Sequence, residues 1–382
     1  MKTPKTLDVR KPVKLIFAGG FLGSGKTTAL AALARDIIHG GMRVGIVTND
    51  QSGNLADTVI VRQMLSELDV PVEEVVEGCF CCRFDDLILQ VEKILAYEPD
   101  ILLGEPVGSC TDFVAAVAHP LKIHYRDAFT FAPFSTLVDP DRVRELLLKE
   151  TGTHFPEEVS YLFRKQLEEA DFIVLNKSDL IEPKERGRLE RELRKRHPGK
   201  EIFVTSALRG DGMLDWRKAL LSGRPGADTV LRQIDYDRYA RAEAVLGWLN
   251  AAVKVRSETA FDPGGLMEGV LARTRDVLRE HNAGVGHVKL ALTSGGRTMW
   301  ANLTDLRADP YLGPNIADTA SGGTLLVNAR VRMEPEKLEA AVREVLSAAS
   351  ASFAVTFDIV DLQCFSPAYP DPPYRMQKGQ AQ

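Results

Sequence analysis

Gly20-Phe21-Leu22-Gly23-Ser24-Gly25-Lys26-Thr27-Thr28 is the stretch on which the reading of this chain turns. It begins where the apolar run Val13 to Ala18 ends, and it leads directly into Thr27 to Ile38, whose composition is helical. A strand, a glycine-rich turn and a helix in that order, with Gly-x-x-x-x-Gly-Lys-Thr spacing, mark a phosphate-cradling loop. Gly20, Gly23 and Gly25 allow a tight path that turns successive backbone N–H groups inward, and the helix amino terminus adds a favourable field for an anion. Ser24 and Thr28 complete the cradle. Lys26 is expected to reach the β and γ phosphates and the Thr27 hydroxyl to ligate Mg²⁺.

Outward from this loop, short apolar strands alternate with helical segments: Arg43 to Thr48, Val72 to Val76, Ile101 to Leu103, Phe134 to Val138, Phe172 to Leu175 and Ile202 to Thr205. Continuous apolar strands separated by helices predict an α/β fold, a mostly parallel sheet covered on both faces, with functional loops at the carboxyl ends of the strands. The composition changes at Ser222-Gly223-Arg224-Pro225-Gly226. Beyond it the pattern predicts a smaller α+β domain of βαββαβ, ferredoxin-like order, setting aside one extra strand. The expected division is a lead-in over 1–12, a P-loop domain over 13–222, a linker over 223–235, a second domain over 236–367 and a polar tail over 368–382.

The 382 residues carry 48 Lys and Arg against 53 Asp and Glu, a formal charge of −5, which gives no global attraction to nucleic acid. No apolar stretch approaches the roughly 20 residues that span a bilayer, and no signal-like segment precedes the glycine loop. The expectation is a cytoplasmic protein with neither membrane insertion nor nucleic-acid binding.

Asn176-Lys177-Ser178-Asp179 follows the strand Phe172 to Leu175. The Asp179 carboxylate can accept from guanine N1 and the exocyclic amine, two donors that adenine does not present together, while Asn176 supports the loop. Ser206 and Ala207, after the next strand, can close over the base edge. Behind a phosphate loop, this quartet predicts GTP as the nucleotide. Asp50 and Glu105 end two intervening strands and stand as candidates for orienting Mg²⁺ or the attacking water. Gly108, in Glu105-Pro106-Val107-Gly108, can offer an N–H to the γ phosphate. The implied chemistry is in-line attack of water on the γ phosphorus, driven by orientation and charge stabilisation.

Three of the five cysteines crowd into Gly78-Cys79-Phe80-Cys81-Cys82. Such crowding makes a poor disulfide framework and a good soft-ligand site for Zn²⁺ or another transition metal. Adjacent residues on a regular helix diverge by about 100°, so convergence of the three needs a loop or a helix entrance. Cys110 can approach this region or pack in the core, and Cys364 reads as a core or interdomain residue.

Together the phosphate loop, the Asp50 loop, Gly78 to Cys82, Glu105 to Gly108 and Asn176 to Asp179 resemble, in one coherent order over Val13 to about Leu221, the CobW-like metallochaperone family of P-loop GTPases, relatives of the urease and hydrogenase maturation GTPases. The resemblance implies GTP- and Mg²⁺-dependent delivery of a transition metal, or help with a metal-containing cofactor, to a client protein. It also implies metal binding at Cys79, Cys81 and Cys82, and nucleotide-controlled contacts with a client or a second copy of the chain. Three departures stand out. Asp50 occupies a place where the family commonly has glutamate, Pro106 removes a backbone donor after Glu105, and no histidine-rich run follows; His281 and His287 are isolated. Gly284-Val285-Gly286-His287 reads as a turn, and Trp248 and Trp300 as core or interface residues. A regulatory GTP switch with a merely structural cysteine site, and a small-molecule kinase, remain open as alternatives.

Overall fold

Val13–Gly20 forms strand β1 of a parallel sheet, and the polarity of the chain on either side of it sets the architecture. The computed structural model describes residues 7, 9–51, 53, 56–151, 154–231 and 233–376. Most of the expected lead-in before residue 9, and the tail beyond 376, lie outside the described residues.

The first sheet contains β1, β2 (Val44–Asn49), β3 (Val72–Val75), β4 (Ile101–Glu105), β5 (Phe129–Phe131), β6 (Ser135–Val138), β7 (Phe172–Leu175) and β8 (Glu201–Val204). Its order is β3-β2-β4-β1-β6-β7-β8, and β5 pairs with the start of β1 while β6 pairs with its end. All these pairings are parallel. Ile16, Ile46, Leu102, Leu103, Leu137 and Val174 are fully buried, which explains why these strands read as unbroken apolar runs: helices cover both faces. Early crossovers place β2, β3 and β4 on one side of β1, and later ones place β6, β7 and β8 on the other. The order therefore reverses beside β1, and a crevice opens at its carboxyl end, where Gly20 begins the glycine loop.

Three helices of this part matter for the site: α1 (Lys26–His39), α2 (Ala56–Met64) and α3 (Phe84–Leu95). Ala29, Leu30, Leu33, Ala34 and Ile37, at helical spacing, bury one face of α1 against the sheet. Gly40 ends it, accepting no further turn.

The second sheet is antiparallel in every pairing, with β9 (Gly247–Phe261), β10 (Gly284–Ser294), β11 (Arg297–Leu303), β12 (Tyr311–Leu312), β13 (Ala320–Arg332) and β14 (Thr356–Phe365) in the order β12-β11-β10-β13-β9-β14. One face carries Leu249, Val253, Leu290, Leu292, Val327 and Val331, which bury against the helices Pro263–Glu280 and Pro335–Phe353. The other face carries Asn250, His287, Lys289, Asn328 and Arg330, and it is turned toward the first sheet rather than to water.

Two features differ from the sequence reading. Tyr236–Ala244 is a helix, capped by the Asp235 carboxylate on the Arg238 N–H, so the second part opens on a helix ahead of β9 rather than on the first strand of a βαββαβ order. Gly284 to His287 is the opening of β10, with a bulge between Val285 and His287, rather than a turn. The stretch after β14 packs back onto the first part of the chain. Tyr374 lies against Phe84 with centroids 4.8 Å apart, Arg375 pairs with Asp112, and Met376 N–H donates to Ala115 O. No helix among the described residues is long and apolar enough to cross a membrane.

Candidate functional site

The glycine loop lies at the reversal beside β1 and is closed by residues from three other strand ends. Gly25 has φ +86°, and a Cβ there would fall 2.6 Å from Asn176 Nδ2, so only glycine fits without displacing that amide. Asn176 Nδ2 donates to Ser24 O at 2.9 Å, while its Oδ1 accepts from Thr205 Oγ1 at 3.1 Å and from Ala207 N at 3.0 Å. One side chain thus latches the phosphate loop to the loop after β8. Asp179 Oδ1 accepts from Ser206 Oγ at 2.6 Å, and Lys177, at φ 56°, lies along the glycine loop and donates to Thr304 Oγ1 at 3.4 Å. A cavity of about 360 Å³ runs from this latch past Gly23, Lys26 and Thr27 to Glu105, and Trp300, Asn302 and Tyr311 of the second sheet form its far wall.

Lys26 Nζ donates to Gly20 O at 2.9 Å and to Phe21 O at 3.4 Å. Burial brings its ammonium down to about 8, opposed by Glu105. The Thr27 hydroxyl faces two carboxylates, Glu105 Oε1 at 3.0 Å and Asp57 Oδ1 at 3.1 Å. A hydroxyl has one proton and can satisfy only one of them. Glu105 Oε2 and Ser24 Oγ are buried without a hydrogen-bond partner among the described residues. Burial, reinforced by Asp57, raises the Glu105 carboxyl to about 7. Burial would raise Asp57 too, but the Lys289 ammonium beside it outweighs that and holds it at about 2. Three convergent oxygens, Thr27 Oγ1, Glu105 Oε1 and Asp57 Oδ1, with the unpartnered Glu105 Oε2 beside them, are a donor set that suits a hard cation such as Mg²⁺.

Asp50 lies on the rim of the same cavity, but its carboxylate turns to the second sheet: Oδ1 accepts from Arg330 Nη2 at 2.6 Å and Oδ2 from Asn328 Nδ2 at 2.8 Å. The Thr27 position is served instead by Asp57 from α2, seven residues further along. Sequence reasoning passed over Asp57, Lys289, Asn328 and Arg330. The available signal was slight: a second Asp shortly after Asp50, and cations on one side of alternating strands. Gly108 lies next to the phosphate loop, where a Cβ would meet Leu22 at 2.6 Å.

The cysteines sit on the opposite side of the β2 end. Asn49, the residue before Asp50, donates from Nδ2 to Val75 O at 3.0 Å and to Gly78 O at 2.7 Å, and its Oδ1 accepts from Phe80 N at 2.8 Å. This clamp holds a turn in which Cys82 N and Arg83 N both donate to Cys79 O, at 3.0 and 2.8 Å, just ahead of α3. Phe80, fully buried against Phe17, anchors the turn, so the three thiols converge as they could not on a regular helix. Their sulfurs all lie within 4.8 Å of one another. Hydrogen bonding to Cys81 and Cys82, then burial, favours the protonated thiol at Cys79, whereas hydrogen bonds from Cys79 and Cys81 favour the thiolate at the more exposed Cys82. The trio is a soft donor set that fits Zn²⁺ or a related ion.

Among known proteins, the chain is similar to the zinc chaperone CobW of Sinorhizobium sp, with 30% identity over 182 residues, 43% of this chain and 50% of that one. It is also similar to the zinc chaperone YeiR of Escherichia coli K12, with 26% identity over 295 residues, 68% of this chain and 81% of that one. The aligned stretch thus spans only about half the length of the Sinorhizobium relative. Among solved structures, HypB from Helicobacter pylori in complex with nickel aligns at 19% identity and TM-score 0.40, over 58% of this chain and 92% of that one. Zn(II)-bound YjiA GTPase from E. coli aligns at 14% identity and TM-score 0.38, over 88% and 99%. The family model described as CobW/HypB/UreG, nucleotide-binding domain, matches residues 14–204, half of the chain. That stretch contains the glycine loop, Asn176 to Asp179 and the three-thiol turn, and by this match the chain belongs to the CobW/HypB/UreG family.

Proposed function

We propose that this protein is a GTP-hydrolysing metallochaperone, which uses the nucleotide state to hold or release a transition metal at Cys79, Cys81 and Cys82 for a client protein. The observation that carries the reading is the wiring between the two sites. Asn49 clamps the cysteine turn and is followed at once by Asp50, while Glu105, on the Thr27 hydroxyl, opens the loop that runs on to Cys110. A change at the phosphates therefore reaches the thiols through two strand ends.

In this reading the backbone N–H groups from Gly23 to Thr28 hold the phosphates, and Lys26 leaves the carbonyls of Gly20 and Phe21 for the β and γ oxygens. Asp179 accepts from the guanine edge, and Lys177 lies along its flank. Thr27 and Glu105, with Asp57, hold Mg²⁺, which when bound neutralises charge on the β and γ phosphates. Glu105 or the Gly108 N–H orients the water for in-line attack. Asp50 acts through Arg330 and Asn328, transmitting the state of its loop to the second sheet. That sheet is read as a split βαβ arrangement over β14-β9-β13-β10, extended at one edge by β11 and β12, with the chain dividing at the linker 223–235. It serves client recognition or nucleotide-controlled self-association, in the cytoplasm.

The test is GTP turnover with and without stoichiometric Zn²⁺, Co²⁺ or Ni²⁺, with metal content measured in each nucleotide state. Metal retained in one nucleotide state and lost in the other supports the reading. Metal binding that survives changing Cys79, Cys81 and Cys82 together to serine, or that never depends on nucleotide, overturns it. The second outcome would favour a regulatory switch with a structural metal.

A further inference from the structure

The second sheet lies directly on the glycine loop. A Cβ at Gly23 would fall 2.9 Å from Gly286 O, in β10, and 3.0 Å from Thr304 Cγ2, just after β11. Further along β10, Lys289 reaches across to the first domain, and its Nζ donates to Asp57 Oδ1. That oxygen also stands 3.1 Å from Thr27 Oγ1, and the same hydroxyl is 3.0 Å from Glu105 Oε1. A single carboxylate oxygen therefore separates the ammonium from the hydroxyl that follows Lys26. Strand register gives Lys289 polar neighbours on both sides, Asn302 on β11 and Asn328 on β13. Lys289 and Asn302 line the cavity together with Lys26, and Asn302 Oδ1 is buried without a hydrogen-bond partner among the described residues.

Fastening the two sheets together does not account for this placement. Arg330 and Asn328 already hold this face to Asp50, at 2.6 and 2.8 Å. Lys289 instead brings a second ammonium into a pocket that already holds Lys26. Burial is the main cause that lowers Lys26, and the field of Lys289 adds to it. Two cations that converge on one enclosed space repel each other unless an anion lies between them. A divalent ion on Thr27 and Asp57 sharpens that conflict, and a triphosphate relieves it better than a diphosphate because it carries more negative charge.

We infer that Lys289 is a ligand of the γ phosphate, supplied to the nucleotide site by the second domain of the same chain. The inference rests on the reading of the glycine loop as a GTP site and names the group that tells GTP from GDP there. Without nucleotide the ammonium rests on Asp57. When the triphosphate binds, the flexible lysine stem carries the ammonium to the γ oxygens, which frees Asp57 for the divalent ion. In hydrolysis the water oxygen bonds to the γ phosphorus while the bond from that phosphorus to the bridging oxygen breaks. The electron pair of the broken bond stays on GDP, and one water proton is released with the phosphate. Lys289 transfers no proton; it neutralises charge on the γ oxygens as they pass through the transition state. Once phosphate has left, the ammonium returns to Asp57, so β10 holds the nucleotide only in its triphosphate state.

The test uses the full chain as wild type, Lys289→Met, Lys289→Gln and Lys289→Arg. Binding of fluorescent GDP and of a fluorescent non-hydrolysable GTP analogue is measured in Mg²⁺ and again in EDTA. Lys289→Met should weaken the analogue by about 10- to 100-fold, the loss of one charge-assisted hydrogen bond, while GDP weakens by no more than about twofold. The selective loss should persist in EDTA. Turnover of GTP should fall by about 100-fold or more in kcat, and Lys289→Arg should retain most of both properties. Melting checks folding, and Lys289→Gln, which keeps an amide for Asp57, carries the comparison if the Met variant does not fold. Equal losses for the two nucleotides, no loss, or a loss confined to Mg²⁺ overturns the inference and leaves Lys289 as a partner of Asp57 alone. In each of those cases GTP turnover by the wild type leaves the GTP reading standing. Wild type that binds neither nucleotide removes both.

Discussion

Arg330 and Asp50 form a buried ion pair between the two sheets, Nη2 to Oδ1 at 2.6 Å, with the Arg330 guanidinium stacked 4.1 Å over Trp248. Arg330 also donates to Leu249 O, Asn250 Oδ1 and Ala329 O, so its charge is fully engaged inside the second sheet and extends a single hydrogen bond out of it. Asp50 follows Asn49, which holds the cysteine turn. The pair therefore ties the second sheet to the strand end shared by nucleotide and thiols.

Breaking this pair from one side should be costly. Asp50→Asn or Arg330→Met alone leaves a buried charge uncompensated and should destabilise by about 3–5 kcal/mol. The double variant should recover much of that loss. Urea unfolding of all four proteins measures the coupling, and additive single effects would show that the two residues do not act as a pair.

Lys289 places an ammonium on Asp57, and its field also reaches Glu105 and Lys26. It stands among the oxygens proposed to take Mg²⁺. Lys289→Met should raise the affinity for Mn²⁺ in the absence of nucleotide on the order of tenfold, because one competing positive charge is gone. Mn²⁺ binding followed by electron paramagnetic resonance checks this. Unchanged affinity would reduce Lys289 to a contact between the sheets.

Asp179 accepts from two donors in the proposed guanine pose, whereas an amide would present one donor and one acceptor. Asp179→Asn should weaken GTP binding by about 100-fold or more and improve binding of xanthosine triphosphate, whose base edge offers an N–H beside a carbonyl. Competition against a fluorescent GDP analogue measures both. Equal loss for the two nucleotides would mean that Asp179 supports the loop without reading the base.

His197, after the helix Pro183–Arg196, is brought down to about 4 by burial and then by Lys200, and its Nε2 has no hydrogen-bond partner among the described residues. A lowered imidazole is neutral in the folded state, while the unfolded chain takes up a proton as pH falls below about 6.5. Stability is therefore highest above that value and declines as pH drops from about 6.5 toward 4. Partial exposure limits the contribution to about 1 kcal/mol. Melting temperatures across that window should fall less steeply for His197→Gln than for wild type.

Much of this molecule was legible in order along the chain. The apolar strands of the first sheet announced themselves because both of their faces are covered, and Ile16, Leu103 and Val174 need no polar partner. The phosphate loop was legible because its geometry depends on local backbone freedom and on residues adjacent in sequence. The helix Tyr236–Ala244 was harder to read: Tyr239 and Glu243 on its buried face meet Thr111 and Ser109, residues over a hundred positions away.

By itself, then, the sequence determined the glycine turn at the end of β1, the Asn176 quartet at the end of β7 and the presence of three neighbouring thiols, all consequences of short-range backbone and side-chain chemistry. Only the tertiary structure decided what faces them. Alternation in β10 and β13 puts Lys289, Asn328 and Arg330 on one side, and a polar side of a strand normally faces water. Here a second domain lays that side over Asp50 and Asp57, because buried carboxylates need charge partners that no nearby residue supplies.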